Sequence, residues 1–509
     1  MRCPAKPWAR IEADAVNARP PLRLRRNTRL RRGVHACALA LVTVLCACGS
    51  PAAPAHDRAI HIWLSRADTD IRLQPQPDTA SSPVAALPVD IVIDTGTRYQ
   101  TMAGFGAAIT DASAILIQQA MSPAQRDALL RELFGAAPGL GLSLTRLSIG
   151  ASDFSTRHYS LDDVVAGATD PELAHFSIDA NRNDVIPTVR AALAIRPTLR
   201  VMASPWSAPA WMKTSDSLIG GSLRPEFEPV FARYLLRYVD AYAAQGIPIF
   251  ALTLQNEPAF EPGDYPGMRM PAAQRARVIA QHLGPALAQR ATPTLILDWD
   301  HNWNHPEEPL HVLADPAAAP FVAGVAWHCY EGRIDAQSRV HTAFPGKDAW
   351  LTECSGGEWE PMRSGGLLWL TRNVVLAAVR HWARGVVLWN LALDPQHGPH
   401  LGGCGNCRGV VTIDPATGAV QRNDEYYALA HFSRFVRDGA VRIDSGAAHH
   451  DIAHIAFQNR DDGSIVLVVV NSADAERRFS VHQADTAFQY ALPPRSIATL
   501  TWHAASPPP

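Results

Sequence analysis

The pattern of hydrophobic and polar positions differs between the two ends of the chain and its centre. Residues 58–94 contain two short runs of period-two alternation, at 60–64 and 89–93. Residues 436–505 contain similar runs, and Asp-Asp-Gly-Ser at 461–464 separates two of them, which is typical of a hairpin. Alternation of this length predicts strands. Because an isolated hairpin is barely stable, we expect both chain ends to form one all-β sandwich.

The central part, residues 95–435, has a different rhythm. Short apolar runs alternate with stretches of helical character, such as 122–134, 229–245 and 272–290. The apolar runs end near eight positions: Gly106, Ile149, Pro205, Asn256, Trp299, Tyr330, Glu353 and Asn390. Eight alternating β and α units predict a (β/α)8 TIM barrel. The predicted fold class is therefore α/β, a (β/α)8 barrel with an all-β sandwich side domain built from both chain ends.

Polar and aromatic side chains follow the ends of the predicted barrel strands. Buried parallel strands are expected to be apolar and to lead into polar loops. Here they lead into carboxylates, amides and tryptophans, for example at 255–258, 298–301 and 352–355. Because barrel enzymes build their active sites at the carboxyl ends of the strands, this pattern predicts an active site.

Two glutamates at these ends are the candidate catalytic pair. Glu257 and Glu353 are 96 residues apart, which at about 32 residues per βα unit places them after the fourth and seventh strands. Those strands face each other across the mouth of a barrel. Two carboxylates ~5–5.5 Å apart form the machinery of a retaining glycosidase, in which one attacks the anomeric carbon and the other acts as acid and then as base.

Further residues are candidates for sugar binding. Asn256 is placed to hold a sugar 2-hydroxyl, and Trp206, Trp327 and Trp389 offer apolar faces for sugar rings. Asp111 is placed to hold sugar hydroxyls. The structural alternatives are an N-cap for Asp111, core packing for Trp206 and a position in the barrel wall for Trp327.

Several charged residues have structural interpretations. Arg146 is predicted as a buried ion-pair partner for a glutamate. His328 is a candidate substrate-binding residue, with a neighbour positioned beside the pocket as the structural alternative. Glu358 and Glu360 are predicted to be solvated loop charges.

No cofactor is predicted. Asp298, Asp300, His301 and His305 superficially resemble metal spacing, but we interpret them as hydrogen-bonding loop residues. Only two of the three glycines of a dinucleotide fingerprint are present at 104–106, and no phosphate-binding loop motif occurs.

Six segments carry a resemblance to glycoside hydrolase family 30. They are GFGAAITDA (104–112), ASPWSAPAWMKT (203–214), LQNEP (254–258), WLTEC (350–354), WNLAL (389–393) and AHFSRF (430–435). The segments occur in the family's order and look closest to its glucosylceramidase branch. The resemblance covers roughly residues 95–503.

The resemblance implies a retaining mechanism without metal, with Glu257 as acid/base and Glu353 as nucleophile. It implies further that five residues line a glucose pocket: Asp111, Trp206, Asn256, Tyr330 and Trp389. The loop 397–408 differs from the animal enzymes and is similar to bacterial members.

The first 48 residues have the composition of an export signal. They carry ten basic residues and two acidic ones, and an apolar run at 34–47 is shorter than the ~20 residues of a membrane span. Small residues before Cys48 and a small, Pro-rich spacer after it resemble a bacterial lipoprotein signal. We predict a signal peptide at 1–48, lipidation of Cys48 and a linker at 49–57, with ordinary secretion as the alternative. The protein is then periplasmic or on the outer surface.

Four cysteines remain after Cys48, too few for a disulfide scaffold: Cys329, Cys354, Cys404 and Cys407. Cys404 and Cys407 form a single C-x-x-C, for which a local disulfide and two loop thiols are both open.

Charge bears on the partners. The whole chain has a formal net charge of −2, and its acidic excess lies beyond the basic N-terminal segment. Nucleic acid is therefore not an expected partner, because it is bound by clustered Lys and Arg. We predict no protein partner, and as substrate a β-glucoside, glucosylceramide or β-glucan.

Three functions are compatible with these residues. The first is a retaining β-glucosidase of the glucosylceramidase type, and the second is a β-1,6-glucanase with the same fold and mechanism. The third is a non-catalytic carbohydrate-binding surface protein, which the presence of both glutamates disfavours.

Overall fold

A computed structural model of the chain describes residues 59–362, 365–484 and 486–503. The predicted signal segment and linker, with Cys48, lie outside the described residues. Among the described residues, no helix combines the length and hydropathy needed to cross a membrane.

The strands are numbered along the chain. They are β1 Ala59–Arg66, β2 Gln74–Ala80, β3 Asp90–Val92, β4 Asp94–Thr101, β5 Gly104–Ala107, β6 Leu144–Ile149, β7 Arg200–Pro205, β8 Ile249–Thr253, β9 Leu295–Asn302, β10 Val322–His328, β11 Asp348–Glu353, β12 Gly356–Gly357, β13 Ala383–Leu388, β14 Ala392–Leu393, β15 Cys407–Arg408, β16 Val411–Ile413, β17 Val420–Arg422, β18 Val441–Asp444, β19 Ile452–Gln458, β20 Ser464–Asn471, β21 Arg477–Gln483, β22 Thr486–Leu492 and β23 Ser496–His503.

The α-helices are numbered in the same way. They are α1 Asp111–Ile115, α2 Pro123–Phe134, α3 Val185–Ile195, α4 Glu228–Ala244, α5 Ala272–Val278, α6 Gly284–Ala288, α7 Glu307–Ala314, α8 Asp335–Ala343, α9 Gly366–Trp369, α10 Ala377–Arg380 and α11 Asp424–Ser433. Three π-helical segments continue or join them: Leu116–Ala120, Ile279–Leu283 and Leu370–Leu376.

The predicted barrel is confirmed. Eight parallel strands close it in the order β5-β6-β7-β8-β9-β10-β11-β13. Small and apolar side chains fill its interior: Ala103, Leu144, Met202, Ala251, Leu297, Ala326, Trp350 and Val387. Because this layer is packed, the barrel has no open lumen at that level, and polar chemistry is confined to the carboxyl ends of the strands.

The predicted helices begin and end close to their expected positions. The clearest case is α2, which begins after Ser122. The Ser122 side chain accepts a hydrogen bond from the backbone of Gln125, and the Gln125 side chain accepts one from the backbone of Ser122. This capping box satisfies two backbone donors that the helix itself leaves unpaired, which explains a sharp start.

Both chain ends build the sandwich, as predicted. One sheet has the order β2-β1-β23-β20-β19-β18-β4, and the facing sheet has the order β22-β21-β3. Alternating apolar residues of the two sheets pack together in one buried cluster. The predicted hairpin joins β19 to β20, whose pairing runs to Gln458 and Ile465.

One strand lies on the other side of the predicted domain boundary. We placed the start of the barrel at residue 95, but β4 pairs with β18 in the sheet of the sandwich. The sequence of β4 is mostly polar, and most of its residues are exposed or half-buried. Hydrophobic patterning does not detect such an edge strand, because neither of its faces carries an apolar row.

Helix α11 packs against both the barrel and the sandwich. The Phe432 ring lies 5.4 Å from Phe105 of the barrel and 6.4 Å from Phe457 of the sandwich. Beside it, the buried His431 ring hydrogen-bonds Ser65 and Thr499, both at 2.8 Å. The segment 430–435 therefore sets how the two domains meet.

Candidate active site

Glu257 and Glu353 lie together at the carboxyl end of the barrel. Glu353 ends β11, and Glu257 lies in the loop after β8, so the two belong to the seventh and fourth barrel strands as predicted. His328, at the end of β10, contacts both. Its Nδ1 lies 3.2 Å from Oε1 of Glu257 and 3.9 Å from Oε1 of Glu353, so these two oxygens are at most about 7 Å apart.

Glu353 is held by two donors. Arg146 Nη1 donates to its Oε2 at 2.8 Å, and the Tyr330 hydroxyl donates to its Oε1 at 3.0 Å. Burial raises the pKa of Glu353, and His328 and Arg146 oppose this shift. The prediction that Arg146 is a buried ion-pair partner for a glutamate is confirmed.

A third carboxylate of the site, Asp300, accepts hydrogen bonds from Arg146 and His328. It accepts hydrogen bonds from five side chains: Arg146, Ser204, Thr253, His328 and Thr352. Burial would raise the pKa of Asp300, but Arg146 and His328 outweigh burial and hold it well below its usual range. The ionised Asp300 therefore fixes the two cationic side chains that contact the glutamates.

His328 is a buried cation. Burial favours the neutral imidazole, but the carboxylates of Glu353, Asp300 and Glu257 outweigh it and raise the pKa of His328 to about 9. Both ring nitrogens therefore carry protons at neutral pH. Nε2 donates to Asp300 at 3.1 Å and Nδ1 donates to Glu257 at 3.2 Å.

The backbone is strained around this cluster. Glu257, Trp299, Asp300 and Asn390 all have φ between 49° and 77°, in the left-handed region that residues other than glycine rarely adopt. The Glu257 amide donates to the Asp300 carbonyl at 3.0 Å, which ties two of these residues together. Such strain is characteristic of functional sites, where the surrounding structure compensates its cost.

Trp206, Trp389 and Asn256 lie beside the pair, as predicted. The two indole rings stack at 5.1 Å with an interplanar angle of 22°, and the Arg146 guanidinium lies 4.8 Å from the Trp206 ring. Oδ1 of Asn256 accepts a hydrogen bond from Arg146 Nη2 at 2.7 Å. One guanidinium thus connects the nucleophile candidate, the amide and the aromatic wall.

Asp111 has other partners than expected. Its Oδ2 accepts hydrogen bonds from Ser155 Oγ at 2.7 Å and from the Tyr159 hydroxyl at 2.9 Å. The alternative prediction of an N-cap is wrong, because Thr110 caps α1 and Asp111 is its first residue. Burial raises the pKa of Asp111 to about 6 against the effect of these two hydrogen bonds.

Asp153 is an aspartate of the site that the sequence interpretation missed. It precedes Phe154, whose ring meets Trp389 edge-on at 6.1 Å, and burial raises the pKa of Asp153 well above its usual range. It lies in the loop after β6. Its position four residues beyond Ile149, where a predicted strand ends, was the available signal.

Tyr265 was also missed. Its ring packs against the cluster that contains Trp206 and Trp389. Burial, followed by the charges of Glu257, Asp153 and Glu353, raises the pKa of Tyr265 well above its usual range. A phenol that stays protonated beside three carboxyl groups is a hydrogen-bond donor at the mouth of the site.

The four described cysteines form two disulfides. Cys404 and Cys407 are joined, which decides between the two possibilities left open by the sequence. Cys329 and Cys354 are also joined, and this pair was not anticipated. Cys329 follows His328 and Cys354 follows Glu353, so the second bridge connects the ends of neighbouring strands β10 and β11.

Most of the residues with apparent metal spacing have ordinary partners. Asp298 pairs with Arg275 at 2.8 Å, and His305 contacts Glu307 at 2.8 Å. Within the described ranges, the group whose ligand atoms come within 4.8 Å of one another is Glu257, His301 and His328. These residues include one of the paired glutamates and its imidazole neighbours.

Two further predicted residues are placed by their contacts. Trp327 is fully buried in the core cluster of the barrel wall, as its structural alternative proposed. Glu358 is largely exposed, and its Oε1 lies 3.3 Å from Nε2 of His397.

Comparison with known families covers both domains. Residues 102–436 match the glycosyl hydrolase family 30 TIM-barrel domain, and residues 439–500 match the family 30 beta sandwich domain.

Curated relatives fall into two named groups. An endo-1,6-beta-D-glucanase of Neurospora crassa is 35% identical over 390 residues, covering 74% of this chain and 79% of that protein. The lysosomal acid glucosylceramidase of Mus musculus is 30% identical over 433 residues, covering 80% of this chain and 82% of that protein.

Two solved structures superpose on most of this chain. An endo-beta1,6-glucanase superposes with a TM-score of 0.80 at 31% identity, covering 88% of this chain and 99% of that chain. SrfJ from Salmonella typhimurium superposes with a TM-score of 0.81 at 26% identity, covering 88% of this chain and all of that chain.

Proposed function

Because the chain belongs to glycosyl hydrolase family 30 and is a glycosidase, we propose that it hydrolyses β-glucosidic bonds with retention of configuration, using Glu353 and Glu257. The observation that supports this most directly is the contact of His328 Nδ1 with both carboxylates. The resulting limit of about 7 Å admits the ~5–5.5 Å of retaining enzymes and excludes the wider part of the inverting range.

Glu353 is the nucleophile in this proposal. It must be ionised to attack the anomeric carbon, and the hydrogen bonds from Arg146 and Tyr330 stabilise its charge. The attack forms a glycosyl ester with the glutamate and releases the leaving-group oxygen. The contact with a guanidinium distinguishes this carboxylate from Glu257, which lies beside the imidazoles of His301 and His328.

Glu257 is the acid and then the base. As Glu353 attacks, Glu257 delivers a proton to the leaving oxygen and becomes a carboxylate. Once Glu353 is esterified, Glu257 is the remaining carboxylate of the pair, with His328 Nδ1 at 3.2 Å from its Oε1. Glu257 then removes a proton from the water that attacks the anomeric carbon, and Glu353 leaves as a carboxylate.

The glucosyl ring is bound beside the pair. We assign Asp153 to sugar hydroxyls and the stacked Trp206 and Trp389 to an apolar face of the ring. Asn256 is assigned to the 2-hydroxyl, where a hydrogen bond strengthens in the transition state. Tyr330 is assigned to the sugar pocket because its hydroxyl donates a hydrogen bond to Glu353.

The substrate that we favour is a β-1,6-linked glucan. Of the two relatives named above, the fungal glucanase shares more identity with this chain than the mouse glucosylceramidase does. On the described loops that follow the barrel strands, the exposed large apolar side chains are Val165, Phe260 and Leu401. That is a small apolar rim for the two hydrocarbon chains of ceramide, whereas a glucan needs none.

Glucosylceramide is the second candidate, because the mouse enzyme aligns over a larger share of the chain than the fungal one. The test offers residues 56–509 an aryl β-glucoside, glucosylceramide and a β-1,6-glucan side by side, with Glu353→Gln as the control. Oligosaccharides released from the glucan and lost in the variant support the favoured substrate. Glucose released from glucosylceramide at a higher kcat/KM moves the protein to the second candidate.

Export and lipid attachment through Cys48 remain our proposal. Two disulfides within the described residues are typical of proteins outside the reducing cytosol. Mass spectrometry of the N-terminal peptide from cells that express the full chain tests the attachment. A diacylglyceryl group on Cys48 that is absent from Cys48→Ser supports it, and an unmodified N-terminus beyond Cys48 contradicts it.

A further inference from the structure

We propose that Asp111 is a positioning residue, which holds the loop 151–160 so that Asp153 and Phe154 stay beside the aromatic wall of Trp206 and Trp389. The inference rests on the proposed function, because Asp111 acts through the sugar-binding role assigned to Asp153. It gives Asp111 a different role from direct contact with the sugar.

The contacts of Asp111 and of its neighbour Ala112 lie just after Asp153 in the sequence. Oδ2 of Asp111 accepts hydrogen bonds from Ser155 and Tyr159, which follow Asp153 in the loop. The next residue of the helix, Ala112, donates its backbone N–H to the Phe154 carbonyl at 2.9 Å. The start of α1 therefore forms hydrogen bonds with three loop residues, all within six residues of Asp153.

The two hydroxyls that reach Asp111 are oriented by other donors. Ser155 Oγ accepts the backbone N–H of Ser152 at 3.1 Å, and the Tyr159 hydroxyl accepts Nδ2 of Asn181 at 3.0 Å. A hydroxyl that accepts from one side directs its proton to the other, so both protons point to Asp111. Both chains of hydrogen bonds end at the Asp111 carboxylate. Removing this carboxylate leaves the two buried hydroxyls without their acceptor.

The opposite side of Asp153 allows little adjustment. The Asp153 carbonyl accepts the backbone N–H of Leu401 at 2.8 Å. A Cβ placed on Gly403 would lie only 2.5 Å from Cβ of Asp153, so the loop 397–408 is closely packed on this side chain. A shift of the loop 151–160 would therefore displace Asp153 from its present place between α1 and the loop 397–408.

Phe154 makes the same loop part of the aromatic wall. Its ring meets Trp389 edge-on at 6.1 Å and lies 6.0 Å from His400. Asp111 thus also fixes the neighbour of a tryptophan assigned to the sugar ring, and it does so through its hydrogen bonds with Ser155 and Tyr159.

A double-mutant cycle tests the proposal with an aryl β-glucoside as substrate. Asp111→Ala is expected to lower kcat/KM by ~10–100-fold, because the displaced Asp153 loses hydrogen bonds to the sugar. In the Asp153→Ala background, Asp111→Ala is expected to lower kcat/KM by less than ~3-fold, because Asp111 acts through Asp153. Asp111→Asn keeps an oxygen acceptor for Ser155 and Tyr159, and should stay within ~3-fold of the parent.

Tyr159→Phe is the second variant, for use if Asp111→Ala does not fold. It removes one donor to Asp111, and its smaller loss should also vanish in the Asp153→Ala background. Additive losses in either cycle would overturn the inference while leaving the proposed function intact. An Asp153→Ala variant with full kcat/KM would instead reject the sugar-binding role of Asp153, and the inference with it.

Discussion

The guanidinium of Arg146 donates a hydrogen bond of 2.8 Å to the carboxylate of Glu353, and both side chains are buried. The other terminal nitrogen of the same group donates to Asp300 and to Asn256, both at 2.7 Å. A single cation therefore fixes the proposed nucleophile, its supporting carboxylate and the amide beside the acid. The geometry of the site thus depends on Arg146.

Replacing Arg146 tests that dependence. Arg146→Gln leaves buried carboxylates without their cation, and we expect kcat/KM to fall by ~10²–10³-fold. Because Arg146 lowers the pKa of Glu353, its loss raises that pKa further. The acidic limb of the pH profile of kcat/KM should move to higher pH, since Glu353 must be ionised to attack.

Arg275→Gln is the matched control for this variant. Arg275 is equally buried and pairs with Asp298 at 2.8 Å. It should lose stability without a shift of the acidic limb. An Arg146→Gln variant whose limb stays in place would contradict the link between this cation and the nucleophile.

The disulfide Cys329–Cys354 should stabilise the protein more than Cys404–Cys407 does. The two bridges close loops with sequence separations of 25 and 3. From loop entropy we expect the free energy of unfolding to fall by about 3.5 kcal/mol when the first pair is changed to serine, and by about 2 kcal/mol for the second. Urea unfolding of the two double variants measures both values. Equal losses would show that loop length does not decide the difference.

His431, at the junction of the domains, should make the fold sensitive to acid. Burial lowers the pKa of His431 from 6.5 to about 3. Below pH 6.5 the unfolded chain binds a proton that the folded chain refuses, so this contribution to stability is lost as the pH falls from 6.5 towards 3. At pH 5 the loss is about 2 kcal/mol.

The measurement is the urea midpoint between pH 7 and pH 4. His431→Gln is expected to flatten this dependence, because glutamine cannot be protonated. His454 is also buried, with its pKa lowered to about 3, so some acid sensitivity should remain. If the urea midpoint of His431→Gln changed with pH as steeply as that of the parent, the acid sensitivity could not be assigned to the His431 ring.

Phe260 should affect the leaving group. It follows Glu257 in the same loop, donates its backbone N–H to the Glu257 carbonyl at 2.9 Å, and is 44% exposed. Because the acid stands next to the leaving oxygen, an aromatic ring at this place is positioned to stack on the departing sugar. Phe260→Ala is expected to lower kcat/KM for a β-1,6-gluco-oligosaccharide by ~5–20-fold, and to leave an aryl β-glucoside nearly unchanged. Val92→Ala, an exposed residue of the sandwich, is the control. Equal losses on both substrates would argue against this role.

The barrel and the catalytic pair could be predicted because apolar strand segments alternate with helical segments along the chain. Counting these segments places Glu257 and Glu353 on the fourth and seventh strands. Each glutamate lies at or near the end of its strand, where the position depends little on loop conformation.

The residues that were missed, or whose surroundings differ from the prediction, lie where local backbone conformation decides the direction of the side chain. Asp153 follows β6 by four residues, and its direction depends on hydrogen bonds to the start of α1. Asp111 directly begins α1 and looked better placed, but its carboxylate is directed to Ser155 and Tyr159. Asp300 lies within β9, where the positive φ of Trp299 and Asp300 breaks the alternation on which a sequence pattern relies.

The unanticipated disulfide had a signal in the sequence. Cys329 and Cys354 each come directly after a residue of the site, on strands six and seven, which are neighbours in a closed barrel. Recognising the pair required the register of β10 against β11, in which His328 lies opposite Glu353. That register contains an irregularity between Trp327 and His328, so strand counting alone does not provide it.

The central claim is that Glu353 forms a covalent bond to the sugar. Its most direct test is incubation with a 2-deoxy-2-fluoro-β-glucoside that carries a good leaving group, followed by mass spectrometry of the intact protein and of its peptides. We predict one added fluoroglucosyl group per chain, located on Glu353 and absent from Glu353→Gln. A label on a different residue, or turnover of β-glucosides with inversion at the anomeric carbon, would contradict the account.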